Sequence, residues 1–138
     1  MTKKEAAQVL AILKAAYPNS YKGMTQEEAV GTVSVWALQF ADMPVDIVLL
    51  AIHKAISSSR FPPSVAEVKE KIKSLSWEAE AIVYGSHRHA ALTEKDIKRA
   101  ERIYDATRKY SYTQQVEASL TDMLLTGDKL LLPDETTR

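Results

Sequence analysis

Five times along this chain a serine or threonine stands three residues ahead of an acid or amide, and an apolar stripe of helical period follows each time. The pairs are Thr2 with Glu5, Thr25 with Glu28, Ser64 with Glu67, Ser111 with Gln114 and, with a shorter acid, Thr93 with Asp96. In such a capping box the hydroxyl accepts from an orphan N–H of the first helical turn, and the acid or amide reaches back to the N–H of the cap. One such pair says little. Five in register with periodic segments predict an all-α fold. Composition agrees, because Ala numbers 18 while Gly and Pro together number 9 of 138 residues.

The stripes predict six helices. The first runs from Lys3 to Tyr17 with Ala6, Val9, Leu10, Leu13 and Ala16 or Tyr17 on one face, and Pro18-Asn19-Ser20 ends it. The second runs from Gln26 to Ala41 with Val30, Val33, Ala37 and Phe40 inward. Val33 to Trp36 also alternates like a strand, but the cap and the 3–4 spacing favour helix. Gly31 costs that helix about 1 kcal/mol against Ala and would allow a close helix crossing. The third opens at Pro44 as its first residue and is apolar on nearly every face from Val45 to Ile56, so it is expected at the centre. Ser57 to Pro63 breaks the chain. After Ser64, the series Val65, Val68, Ile72, Leu75, Ala79, Ile82 predicts one long helix to Tyr84, with Gly85 as its stop. Trp77, Ala81 and Tyr84 form a second stripe there, which something further along the chain or a partner should cover. Residues 85–92 read as a loop. The fifth helix spans Glu94 to Lys109 with Ile97, Ala100, Ile103, Tyr104 and Thr107 inward; the sixth spans Tyr112 to Thr126 with Val116, Leu120, Met123 and Leu124 inward. Residues 1–75 are thus expected to form a small bundle of about four helices around the third. Residues 76–138 are expected to form a second helical arm with a short, acidic, leucine-containing tail.

Several chemistries are missing. There is no cysteine, hence no disulfide, thiolate metal site or cysteine nucleophile. No P-loop, G-x-G-x-x-G, H-E-x-x-H, EF-hand or G-x-S-x-G motif occurs, and four glycines leave little for a phosphate-cradling loop. The expectation is a protein that is not an enzyme and takes no cofactor or metal. His87 and His89 put two imidazoles in one loop without a third ligand nearby, and His53 reads as a core or boundary histidine. No apolar run approaches the length of a membrane span, and the start of the chain lacks a signal-peptide pattern. A cytoplasmic protein is expected.

Lys plus Arg and Asp plus Glu each number 18, so the net charge is zero. A protein gripping duplex DNA through phosphates would carry a basic excess, so nucleic-acid contact must be weak or local. The one basic stretch is residues 83–112, at +3, where Arg88, Lys98, Arg99, Arg102 and Arg108 interleave with tyrosines including Tyr104. Cations beside rings make a single-strand contact; the alternative is a solvated helix face with the tyrosines as core edges. Residues 113–138 carry −3. There Leu130, Leu131 and Leu132 read either as apolar anchors of a docking segment or as a cap folding back on the last two helices.

Three blocks carry a family resemblance. They are Met1-Thr2-Lys3-Lys4-Glu5 with Val9 to Tyr17, Met24-Thr25-Gln26-Glu27-Glu28-Ala29 leading to Trp36-Ala37 and Phe40-Ala41-Asp42, and Arg60-Phe61-Pro62-Pro63-Ser64 running on to Ile72. Over residues 1–75 the chain resembles the bacteriophage replicative helicase loader/inhibitors, whose Phe-Pro-Pro corner precedes a capped helix. Pro62 and Pro63 hold that corner extended, Ser64 caps the next helix, and Phe61 is expected to turn back and seal the bundle. The resemblance implies a protein that binds the host's hexameric replicative helicase in the bacterial cytoplasm and restrains its ATPase and unwinding activity. It further implies delivery of the helicase to a phage origin-binding protein, without any ATPase of the loader's own. The family's C-terminal part is flexible and engages the helicase. Residues 93–126 of this chain, with their caps and stripes, look foldable. The partner surface is therefore expected in the C-terminal half, at Leu124, Leu125 and Leu130 to Leu132. The other readings are a single-strand nucleic-acid-binding accessory protein and a helical virion or adaptor protein.

Overall fold

The computed structural model describes residues 1–85 and 92–126. Over them the chain forms six helices and no strand: α1 (Lys3–Ala16), α2 (Gln26–Gln39), α3 (Val45–Ser58), α4 (Val65–Tyr84), α5 (Glu94–Ala106) and α6 (Tyr112–Thr126), with a 3-10 turn at Arg108–Tyr110. Every cap expected from the sequence is in place. Thr2, Thr25 and Thr93 close full reciprocal boxes. The short Asp96 reaches as well as a glutamate, its carboxylate accepting from both the N–H and the hydroxyl of Thr93. Those bonds favour the ionised acid and hold Asp96 below the usual carboxylate range, and the same cause lowers Glu5. Ser64 and Ser111 supply the hydroxyl half, accepting from the N–H groups of Glu67 and Gln114 at 3.2 Å.

Helix ends differ from expectation for local reasons. Pro44 is the cap of α3 and not its first residue. α5 stops at Ala106 because the carbonyl of Thr107 leaves the ladder, although the Thr107 N–H still donates to the Ile103 carbonyl at 3.0 Å. Its hydroxyl donates to the Ile103 carbonyl, and its own carbonyl accepts from the buried Ser76 Oγ at 3.0 Å and from the Tyr110 N–H at 2.8 Å. Gly85 does end α4, but with φ −71°, outside the left-handed region. Close approach is the reason for a glycine there: a Cβ would lie 2.0 Å from the Ala81 carbonyl oxygen.

α3 is the central helix. Ile47, Val48, Ala51 and Ile52 are buried among Val9 and Leu13 of α1, Trp36 of α2 and Phe40 at its C-terminal cap, and Val68, Ile72 and Leu75 of α4. On α2 Ala37 and Phe40 are buried and Val33 packs on the core, as expected, but two positions differ. Trp36 is buried and Val30 is exposed, because the bundle takes the Trp36–Phe40 ring pair, centroids 5.6 Å apart, whose apolar area exceeds that of a valine. The corner at residues 61–63 also differs. Phe61 is 71% exposed and seals nothing, while Pro63 is buried. Tyr17 closes that end of the bundle instead, packed on the core with its hydroxyl donating to the Ser59 carbonyl at 3.0 Å. Ser59 Oγ donates to the Phe61 carbonyl and accepts from its N–H, which fixes the corner with the phenyl ring outside.

α4 runs on past the bundle. Its later turns hold Ala79, which clusters with Ala100 and Tyr104 of α5. Ile103, Ala106 and Tyr110 reach back to the main cluster. Among the described residues no helix is long and apolar enough to cross a membrane.

Candidate partner-binding surface

α6 is set up by the Ser111 cap and fixed at its first turn. Trp77 Nε1 donates to the Tyr110 carbonyl at 3.0 Å, and the Trp77 and Tyr112 rings meet edge to face at 5.9 Å. Glu80 accepts from the Tyr112 N–H at 3.0 Å and from the Thr113 hydroxyl. Beyond that turn α6 meets the rest of the molecule mainly through the 3-10 turn that precedes it. Of its residues expected inward, Val116, Leu120 and Leu124, the last at 79%, are exposed and Met123 is half-buried; Leu125, expected at the partner surface, is 82% exposed. The helical period is as expected, but among the described residues no element covers the face. A groove of about 310 Å³ separates the near part of this stripe from α4, lined by Lys73 and Trp77 on one side and Tyr112, Val116 and Leu120 on the other. α6 carries Glu117 and Asp122 and no lysine or arginine. Leu130, Leu131 and Leu132 lie outside the described residues, as do Arg88, His87 and His89.

The late stripe on α4 is touched but not covered by the described residues further along the chain: Trp77 meets Tyr112 and Tyr84 meets Tyr104 at 5.3 Å, yet Trp77, Ala81 and Tyr84 all remain exposed. That arrangement takes Tyr104 out of any base-stacking role, since the residue is 7% exposed and buried with Ala79 and Ala100. The neighbouring cations are largely engaged within the chain. Arg102 pairs with Asp46 and Lys109 with Asp42, which ties α5 and the 3-10 turn to the bundle. These partners hold both aspartates below the usual carboxylate range and raise Arg102 and Lys109. Lys98 pairs with Glu94 at 3.3 Å, and Arg108 lies over the Tyr104 ring. Arg99 stands at the mouth of a cavity of about 270 Å³ among Leu50, Leu75, Ile82 and Ile103. His53, expected in the core or at its boundary, is exposed. Among the described residues no group of three or more His, Asp or Glu could hold a metal.

The family of the phage helicase loader/inhibitor N-terminal domain matches residues 1–69, half of the chain. The chain belongs to this family. Membership implies interaction with a replicative helicase, and the family is not itself catalytic. The matched stretch holds α1, α2, α3, the Phe61-Pro62-Pro63 corner, Ser64 and the first turn of α4. No curated protein and no solved structure matches the chain. α5 and α6 lie beyond the family's match, so the exposed stripe on α6 is a feature of this chain read from its own residues.

Proposed function

We propose that this is a phage DNA-replication accessory protein. It binds the host's hexameric replicative helicase, restrains its ATPase and unwinding activity and delivers it to the phage origin-binding protein. Its place of action is the host cytoplasm. The observation that carries the reading is the pairing of a loader-family bundle with a helix, α6, whose apolar stripe no part of the described chain covers. An amphipathic helix of this kind docks by laying its anchors into an apolar groove. Here the anchors are Val116, Leu120, Leu124 and Leu125, followed by Leu130 to Leu132. The acids of α6 call for a basic rim on the helicase. Phe61, Pro62, Pro63 and Ser64 belong to the fold and its corner.

The test is size-exclusion chromatography with light scattering, the full chain mixed with host helicase hexamer and ATP, beside a run with a single-stranded oligonucleotide. Co-elution with the hexamer is expected, and Leu120→Glu/Leu124→Glu should weaken it at least tenfold, which is about 1.4 kcal/mol, without lowering the melting temperature. Binding to the oligonucleotide alone, or full helicase affinity in that variant, would overturn the proposal.

A further inference from the structure

Tyr112, Val116, Leu120 and Leu124 follow one another at four-residue spacing along α6, and all four are exposed. The first three border the groove against α4, and Lys73 is the one cation among the residues lining it. Lys73 lies over the Trp77 ring at 5.1 Å and has no ion-pair partner among the described residues. Apolar surface left in water gains by burial against any apolar segment within reach, and a tethered segment has the advantage. Residues 127–138 follow α6 directly and lie outside the described residues. They run Gly127, Asp128, Lys129, then Leu130-Leu131-Leu132-Pro133, then Asp134 and Glu135. A linker of a few residues holds its cargo at an effective concentration of about 1 mM, above that of a second copy in dilute solution.

The spacing of the tail matches the stripe. Helix residues four apart are separated by about 6 Å along the axis. In an extended chain, residues two apart lie on the same side at about 6.6 Å. Gly127 stands where the chain must reverse, at the position after a helix that glycine fills most readily. Run back antiparallel to α6 from there, Leu130 and Leu132 fall beside Leu124 and Leu120, and Leu131 turns away. Asp134 and Glu135 come about 7–10 Å further on, at the groove that Lys73 lines. The two carboxylates and the lysine are opposite in charge, and the leucines meet leucines.

We propose that the chain covers its own α6: residues 130–135 fold back on the helix, with Leu130 and Leu132 on the Leu120–Leu124 stripe and Asp134 and Glu135 facing Lys73. The cover forms within one chain and does not rest on the helicase reading. Where that reading holds, the helicase displaces the tail from the stripe and takes both sets of leucines.

The chain has no cysteine, so a nitroxide on Thr136→Cys of the full chain reports the tail alone. Amide signals of Val116 and of Lys73 to Trp77 should lose intensity against the reduced label, without helicase present. Leu130→Ser/Leu132→Ser should restore those signals, whereas Leu131→Ser, on the outward side, should leave them broadened. Lys73→Glu should weaken the effect, and adding Asp134→Lys/Glu135→Lys should bring it back. Signals at Val116 and Lys73 to Trp77 no weaker than in Leu130→Ser/Leu132→Ser overturn the proposal. So does release of the tail by Leu131→Ser as complete as by the pair. Equal broadening when the nitroxide and the observed amides sit on different molecules also overturns it, by placing a second copy on the stripe. Because the helicase is absent throughout, these results stand or fall separately from helicase binding.

Discussion

Two phenylalanines separate what a ring does for this fold from what a motif suggests. Phe40 is fully buried between the central helix and α2, while Phe61, in the most family-like block of the sequence, stands outside the corner it belongs to. Phe40→Ala should therefore cost about 3–5 kcal/mol, the range for removing a buried aromatic ring. Phe61→Ala should change stability by no more than about 0.5 kcal/mol. Urea midpoints at constant slope measure both. A large loss at Phe61 would mean that the ring is held in the core in solution. Proline spacing predicts an extended corner; the backbone is extended at Ser59 before it and at Ser64 after it, with a bend at Arg60 and Phe61 between. Proline spacing carries no information on which side of the backbone the next large side chain falls. That was decided by Tyr17, whose hydroxyl reaches Ser59 and fills the end of the bundle. Ser76 shows the same principle inside. It is buried, and its one strong partner is the Thr107 carbonyl, 31 positions away. Such pairs cannot be read from spacing. Ser76→Ala should cost about 1 kcal/mol, because a buried hydrogen bond is lost and the carbonyl keeps only one donor.

At the scale of elements, helix starts were the most legible feature, since a cap is a local device made by residues three apart. Even the weakest of the five, Thr93 with Asp96, forms both halves of its box. Thr93→Ala should destabilise α5 by about 1 kcal/mol. Amide exchange at Glu94 to Ile97 should accelerate before that in the rest of the helix; uniform acceleration would show that the cap is not what holds the first turn. Helix ends were less legible, because competing hydrogen bonds from distant residues decide them, as at Thr107. Faces were legible only where one stripe stood alone. On α2 two apolar stripes overlap, and the Trp36–Phe40 pair won the core from Val30. On α6 the period was right and the burial was not, since periodicity says that a helix has an apolar face and not that anything in the chain covers it. The candidate site was therefore visible as a stripe and invisible as a surface. The sequence places Leu124 and Leu125 at a partner surface, but it also turns Leu124 inward together with Val116 and Leu120, all of which are exposed.

At the scale of the molecule, the question is how α5 and the 3-10 turn stay on the bundle. Ile103, Ala106 and Tyr110 supply the apolar contact. Around it run Asp42–Lys109 and Asp46–Arg102, which join residues more than fifty positions apart and were not readable from sequence. We propose that residues 1–85 still fold when the arm is removed, with a lower melting temperature, because the cluster around α3 is complete but for those three side chains. The ion pairs make a sharper test, because their sign is fixed. Asp42 and Asp46 have folded pKa values below the unfolded one, so their contribution is present above about pH 4 and is lost as pH falls through the lowered values. Lys109 is raised, so its contribution is present below about pH 10 and is lost as pH climbs through the raised value. All four side chains are about half exposed, so solvent screening keeps both pairs weak. Asp42→Asn/Asp46→Asn should then melt only slightly below wild type at pH 7. That gap should shrink in high salt and close in acid, once the pH has fallen below the lowered values and the wild-type carboxylates are protonated as well. A gap that persists in acid would place the stabilisation in the neutral hydrogen bonds of those side chains and take it away from their charge.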